Sequence, residues 1–282
     1  LSNRAIAGDL NPPGSTSKLV VASTALASGD FTPDSQLPNP AVYQLPQSSS
    51  VVYNANGGTC GGGETVSIAD ALRLSCNIPF AELAVQLGDT AIREEAEKYG
   101  FNSQFELPLV STASGYPRTI MDDAQTALSG FGQGQVTATP LQMAMVSAGI
   151  ANEGIVMNPR MVDRVIGPDL SVQETFADTE YGRALDADLA EQLVSMMVAN
   201  VRDGAASGAR IDGVDVAGKT GTAENGTGRP YTLWFTGFAP ADSPQVAVAV
   251  VVEDGGGQGQ SGSGNTIAAP IAKKVMEAVL SR

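Results

Sequence analysis

Histidine is absent from this 282-residue chain. That excludes a Ser-His-Asp arrangement, so any serine activated here must lose its proton to another group, and an amine is the candidate. Cysteine occurs twice, at Cys60 and Cys76. With no histidine and only two thiols the usual Cys/His zinc sets cannot be assembled, and neither a metal nor a cofactor is expected. Basic residues are scarce too: 16 Lys and Arg stand against 30 Asp and Glu, a net charge of −14. Nucleic acid and anionic membrane surfaces need clustered positive charge, which leaves small molecules or neutral polymers as the expected partners. No stretch approaches the roughly 20 apolar residues that span a bilayer. The best apolar run, Val246 to Val252, is strand-length and closes at Glu253. There is no signal peptide and no initiator methionine at Leu1, so an N-terminal portion that could hold an anchor is expected to be missing.

What is present describes a folded globule, 43% hydrophobic and 16% charged, long enough to bury a full core. Apolar periodicity predicts a first helix from Ser15 to Ala27 that stops near Gly29, followed by a Pro- and Ser-rich surface loop from Pro33 to Ser50. Val51 to Tyr53 reads as a short strand ending in an Asn56-Gly57 turn. Helical patterns then cover Ser67 to Leu72, Ile78 to Leu87, Thr90 to Tyr99, Met121 to Leu128 and Thr139 to Ala151. After Gly154 a strand is expected over Met161 to Ile166 and an amphipathic helix over Asp186 to Val201. Strands follow at Val214 to Thr222, Thr232 to Phe238 and Gln245 to Val252, and a last helix at Ile267 to Leu280. Strands joined so closely should pair antiparallel and be covered by helix. The expected fold is α+β, a helix-covered antiparallel sheet with a helical lobe inserted at about 63–155, all in one domain. The Gly/Ser/Gln segment Gly255 to Gly264 reads as a mobile surface loop.

Three short patterns carry chemistry. Ser15 and Lys18 stand at i and i+3 just after Pro12-Pro13-Gly14, so a helix would place both on one face, with free N–H groups of its first turn near Ser15. Alone, the pair fits a capping serine beside a solvated lysine better than it fits a reactive site. Ser75 and Asn77 lie between two helical stretches and offer a hydroxyl and a carboxamide one residue apart. Lys219-Thr220-Gly221-Thr222 falls on a strand, where alternation sets Lys219 and Gly221 on one face and Thr220 and Thr222 on the other. Gly221 lets another backbone or a ligand approach closely. Taken in order on a helix start, an inter-helix turn and a strand, the three patterns support one another.

Cys60 and Cys76 are either two buried thiols or a disulfide closing a short loop. The floppy connection through Gly57-Gly58 and Gly61-Gly62-Gly63 favours the disulfide.

The combination of S-x-x-K, S-x-N and K-T-G resembles the transpeptidase domain of a class B penicillin-binding protein, most like the penicillin-binding protein A group of actinobacteria. Supporting segments are Gly132-Gln133-Gly134-Gln135 with Thr139 to Ala144, Gly218 to Glu224, and Trp234 to Pro240. The resemblance runs through almost the whole chain. It implies a serine D,D-transpeptidase acting on peptidoglycan stem peptides that end in D-Ala-D-Ala, acylated by β-lactams. Ser15 would be the nucleophile, Lys18 the base, and Ser75 a proton relay between Lys18 and Lys219. Asn77 would hold the substrate amide, Thr220 and Thr222 the terminal carboxylate aided by Lys219, and the N–H groups of Ser15 and Thr222 the oxyanion. It also implies the extracytoplasmic face of a bacterial membrane, a missing anchor and non-catalytic domain, and other cell-wall synthesis and division proteins as partners.

One departure is Cys76 in the middle of the second motif, where a bond to Cys60 would tether the loop presenting Ser75 and Asn77. Rival readings are a D,D-carboxypeptidase, a serine β-lactamase, for which no Glu-x-x-Leu-Asn segment is found, and a β-lactam sensor or inactive scaffold.

Overall fold

A computed structural model describes residues 3–55 and 57–282 of the chain. A 3₁₀ turn, Gly14–Ser17, leads into α1 (Lys18–Ser28), which Gly29 ends in the left-handed region at φ 77°. Three short strands follow: β1 (Gln36–Pro38), β2 (Val42–Gln44) and β3 (Val51–Tyr53). Next come β4 (Thr65–Ser67), α2 (Ile68–Leu74), α3 (Asn77–Leu87), α4 (Asp89–Lys98), α5 (Asp123–Ser129) and α6 (Pro140–Ala151). Ser67, Asp122 and Thr139 cap α2, α5 and α6, each side chain accepting the amide three residues on, as helix starts require. The chain then forms β5 (Ile155–Met157), β6 (Arg164–Ile166), β7 (Val172–Thr175), β8 (Glu180–Arg183) and α7 (Ala187–Asp203). It closes with β9 (Ala217–Ala223), β10 (Thr232–Ala239), β11 (Val246–Val252) and α8 (Ala269–Leu280).

The last three strands pair antiparallel in the order β11-β10-β9, with Trp234 opposite Gly221 and Thr236 opposite Lys219. Alternation gives the sheet two different faces. Trp234, Phe238, Ala249 and Val251 turn toward the main core formed with Leu19, Val20, Leu72, Phe80, Met143 and Met197. Phe235, Ala239, Val248 and Val250 turn toward Ala269, Ala272 and Met276 of α8. The expected antiparallel sheet between helices is therefore the fold, with short two-stranded pairings β1-β4, β2-β3, β5-β8 and β6-β7 around it.

Several boundaries depart from expectation. The first helix is split, because Ser15 lies in the 3₁₀ turn and the α-helix begins only at Lys18. The stretch from Pro33 to Ser50 holds β1 and β2, each three residues long with at most one buried position, too short to leave a periodic signal. The strand expected from Met161 is only Arg164–Ile166. The segment from Gly255 to Gly264 is packed: Gly255 N–H donates to Tyr231 O at 2.7 Å, Tyr231 N–H to Gly259 O at 3.1 Å, and Gly255, Gly262 and Gly264 are buried. The expected Asn56-Gly57 turn rests on Asn56, which lies outside the described residues.

Candidate active site

The 3₁₀ turn that carries Ser15 is held from both sides. Gly14, at φ 55°, donates its N–H to Gly132 O at 3.1 Å, and Trp234 Nε1 donates to Pro12 O at 3.0 Å. Neither contact leaves room for a side chain: a Cβ on Gly132 would run into the Gly14 carbonyl, and one on Gly221 would stand 2.8 Å from Pro13 O. The glycines thus let β9 and the 130–134 turn press on the backbone around Ser15. A 3₁₀ turn has three residues per turn, so positions i and i+3 eclipse, and Ser15 and Lys18 share one side of it. Ser15 is half-buried, and Lys18 is fully buried.

Lys18 points into the second motif. Its Nζ donates to Ser75 O at 2.8 Å and Asn77 Oδ1 at 2.9 Å, and lies 3.5 Å from Ser75 Oγ. Among the described residues Ser15 Oγ makes no hydrogen bond, with Lys18 or any other group. Lys219 Nζ donates to Ser75 Oγ at 2.7 Å and to Thr220 O at 3.0 Å. The Ser75 hydroxyl therefore sits between two lysines that are 201 residues apart, from 18 to 219.

The loop that presents Ser75 is strained and tied down. Ser75 is in the left-handed region at φ 61°, ψ 41°, as the residue that ends α2, a conformation that persists in a non-glycine residue only where its surroundings enforce it. Ser75 N–H donates to Leu72 O at 3.1 Å and Cys76 N–H to Ala71 O at 2.9 Å. Buried Asn200 of α7 donates through Nδ2 to Leu72 O at 3.1 Å and Arg73 O at 2.7 Å, while its Oδ1 has no partner among the described residues. Cys76 is joined to Cys60 by a disulfide with a Cα–Cα distance of 5.7 Å.

On β9 the faces divide as alternation requires. Lys219 reaches the Ser75 side, whereas Thr220 and Thr222 face the segment around Ala205 and Gly264. Their hydroxyls are not equivalent. Thr220 Oγ1 donates to Ala205 O at 2.9 Å, so its proton is committed. Thr222 Oγ1 accepts from Gly264 N–H at 3.1 Å, which leaves its own proton free to donate to an anion.

Electrostatics set this cluster apart. Both lysines are fully buried, and among the described residues no carboxylate lies within 4.0 Å of either amine. Burial pushes Lys18 well below the usual lysine range, and the nearby charge of Lys219 pushes it further. Burial alone brings Lys219 down to about 7. Desolvation disfavours the ammonium, and a like charge disfavours it again, so two protons on this pair are opposed by both effects. The Phe80 ring, 5.7 Å from Lys18 Nζ, offers weak compensation.

A cavity of about 620 Å³ lies elsewhere, between Arg202, Arg210, Asp212, Asp215 and Asp242. It touches none of these side chains, so chemistry and not concavity locates the site. The structure brings Lys18, Ser75, Asn77 and Lys219 into contact from three distant segments. Asn54 and Asn200, which hold the Ser75 loop, and Gly264, which orients Thr222, carry no motif that the sequence could have disclosed.

The family described as the penicillin binding protein transpeptidase domain matches residues 1–277 of the chain. The peptidoglycan D,D-transpeptidase PbpA of Mycolicibacterium smegmatis is 40% identical over 99% of the chain and 57% of that protein. The protein of the same name from Mycobacterium tuberculosis H37Rv is 39% identical, with the same coverage. The solved ceftriaxone acyl-enzyme complex of penicillin-binding protein A from M. tuberculosis matches with a TM-score of 0.94 and 39% identity, over 99% of this chain and 63% of that one. The imipenem acyl-enzyme complex matches with 0.91 and 38%, over 99% and 62%. The chain thus spans about 57% of the length of these curated relatives.

Proposed function

Because the chain belongs to the penicillin-binding protein transpeptidase family, we propose that it is the catalytic part of a peptidoglycan D,D-transpeptidase. Ser15 is the nucleophile, Lys18 its base and Ser75 the relay. The observation that carries this reading is the pair of buried lysines meeting at Ser75 with no carboxylate partner among the described residues. A proton inventory supports the division of labour. A neutral Lys18 has two N–H bonds, which satisfy Ser75 O and Asn77 Oδ1, and one lone pair left to accept a proton. Lys219, donating to Ser75 Oγ and Thr220 O, fits as the amine that carries charge.

The reaction then balances as follows. Ser15 Oγ attacks the penultimate D-alanine carbonyl of a stem peptide while its proton passes to Lys18. The backbone N–H groups of Ser15 and Thr222 receive the oxyanion, in the manner of other acyl-transfer sites. The proton moves through Ser75 to the leaving nitrogen as the C–N bond breaks, the terminal D-alanine departs, and the acyl-enzyme remains. An amine of a second stem peptide attacks that ester, forming the cross-link and returning the proton to Ser15. Thr222 donates to the substrate's terminal carboxylate, helped by the charge of Lys219, and Thr220 supports that strand through Ala205. A β-lactam enters by the same attack, its ring C–N bond breaking in place of the peptide bond. On this reading the full-length protein would be anchored at the extracytoplasmic face of the membrane beside other cell-wall synthesis and division proteins. The described residues hold no helix long and apolar enough to cross a membrane.

Intact-mass measurement over time after mixing with benzylpenicillin is the test. One stable adduct, absent in Ser15→Ala, is expected; no adduct, or one undiminished in Ser15→Ala, overturns the assignment, and rapid return to the free mass indicates a β-lactamase. A D-Ala-D-Ala-like thioester with and without a D-amino-acid acceptor then separates transfer from hydrolysis and from an inert sensor or scaffold.

A further inference from the structure

The hairpin β2-β3 ends at Tyr53, and the next residue, Asn54, is polar yet only 4% exposed. Its Oδ1 accepts from the N–H groups of Asn77 at 2.9 Å and Ile78 at 3.1 Å, and its Nδ2 donates to Gly58 O at 3.0 Å. Those two amides open α3, where an uncapped helix leaves its donors orphaned. Cys76, the residue at the cap position, makes no side-chain capping bond, its sulfur being held in the disulfide. The cap is therefore supplied from 23 residues away. The adjacent Tyr53 carbonyl accepts from Asn77 Nδ2 at 3.2 Å. Two consecutive residues of one strand end thus hold both the backbone and the carboxamide of Asn77, and that carboxamide turns its oxygen to Lys18 Nζ at 2.9 Å.

We propose that Asn54 is a positioning residue for acyl transfer: by capping α3 it sets Asn77, and through Asn77 it aims Lys18 between Ser15 and Ser75. The proposal rests on reading Ser15 as the nucleophile. It follows from what the cap controls. Asn77 Nδ2 keeps one N–H beyond the bond to Tyr53 O, and that donor points wherever the first turn of α3 points. Without the Asn54 acceptor the turn is free to rotate, Lys18 loses a fixed acceptor, and the base and the substrate-holding amide drift together. A buried asparagine with both ends of its amide satisfied resists such drift, since each bond broken leaves a buried polar group unpaired.

The test follows benzylpenicillin acylation at saturating drug, reading the rate constant and the final fraction of molecules acylated as separate quantities. Asn54→Ala is expected to slow acylation ~10-fold or more, the scale on which misplaced reacting groups act, while every folded molecule is still acylated in the end. Asn54→Asp keeps an oxygen for the same two amides but sets its second oxygen against Gly58 O, where Nδ2 now donates at 3.0 Å, so it is expected to acylate faster than Asn54→Ala yet slower than the parent. An unchanged rate in Asn54→Ala, or a lower acylated fraction at the parent rate, overturns the proposal, because a merely structural role removes active molecules without slowing the rest. Should Asn54→Ala fail to fold, Asn54→Ser decides: its shorter side chain cannot span both amides, so slowed acylation supports the proposal and the parent rate overturns it. An adduct that persists in Ser15→Ala is a different failure, since it overturns the nucleophile on which the proposal rests.

Discussion

Lys18 and Lys219 are fully buried and meet no carboxylate among the described residues, whereas Arg160, beside the β6-β7 hairpin, is flanked by Asp178 at 2.8 Å and Asp163 at 3.0 Å. Asp163 also receives Arg164 at 3.0 Å. The exposed region pairs its charges where water already screens them. The hydrogen bond that Arg160 donates to Asp163 leads in raising Arg160 above its ordinary range, and those that Asp163 accepts from Arg160 and then Arg164 lead in lowering Asp163. Inside the site the opposite arrangement holds. Desolvation without a counter-ion makes an ammonium costly, and an amine that is reluctant to hold a proton can serve as a base. One molecule thus pairs its exposed arginine with carboxylates and leaves its two buried lysines without one among the described residues.

Removing the isolated amine should have the largest effect. Lys18→Met is expected to slow acylation by benzylpenicillin ~10²–10⁴-fold, the usual contribution of a positioned general base; a rate within tenfold of the parent would place the base elsewhere. Giving that amine a counter-ion breaks the comparison directly. Asn77→Asp sets a carboxylate where Lys18 Nζ now has the Asn77 oxygen at 2.9 Å. An opposite charge at such range raises a lysine pKa by ~1–3 units, and a base is lost as pH falls through its pKa. Acylation at neutral pH should therefore drop and recover in part as the pH is raised into the alkaline range; a pH-independent loss contradicts the electrostatic account.

Stability should carry the same signature. The unfolded chain protonates Lys219 below pH ~10.4, the folded one only below about 7. Between these values the unfolded state binds more protons, so this group makes stability rise with pH and level off above the window. Lys219→Met should flatten that slope, by on the order of a few kcal/mol across the window, in urea melts at several pH values; an unchanged slope would refute it. Replacing both Cys60 and Cys76 by serine removes the cross-link over a 16-residue separation, worth ~3 kcal/mol in the chain-entropy account, and equal acylation rates with and without the bond would limit its role to stability. The smallest effect belongs to the exposed side. Arg160→Ala should leave acylation untouched and shift Tm by less than ~2 °C, since exposed pairs contribute little; a slowed site would couple the two regions.

Much of this contrast could be read along the chain. The order S-x-x-K, S-x-N, K-T-G singles out Ser15, Lys18, Ser75, Asn77 and Lys219, of which the last four make hydrogen-bond contact with one another, and long periodic segments such as Ala187–Asp203 and Thr232–Ala239 lie within two residues of where apolar spacing places them. Strand alternation divided Lys219 from Thr220 and Thr222 before their partners were known. The strands β1, β2 and β4, three residues each, carry too few positions to establish a period of two. The composition of Gly255 to Gly264 reads as a mobile loop, yet its glycines close against Tyr231 and Ile267, contacts that no local pattern encodes.

The sequence by itself determined which groups are available to the site: with no imidazole in the chain, the proposed activation of a serine falls to lysine, and the motif order singles out Lys18. Tertiary structure decided how far those lysines are from water and from any carboxylate, that Thr222 keeps its hydroxyl proton free while Thr220 does not, and that Asn54 and Asn200 hold the Ser75 loop. Residue identity fixes which groups can ionise, but solvation and field depend on every atom packed around them, and those atoms come from segments far apart in the chain.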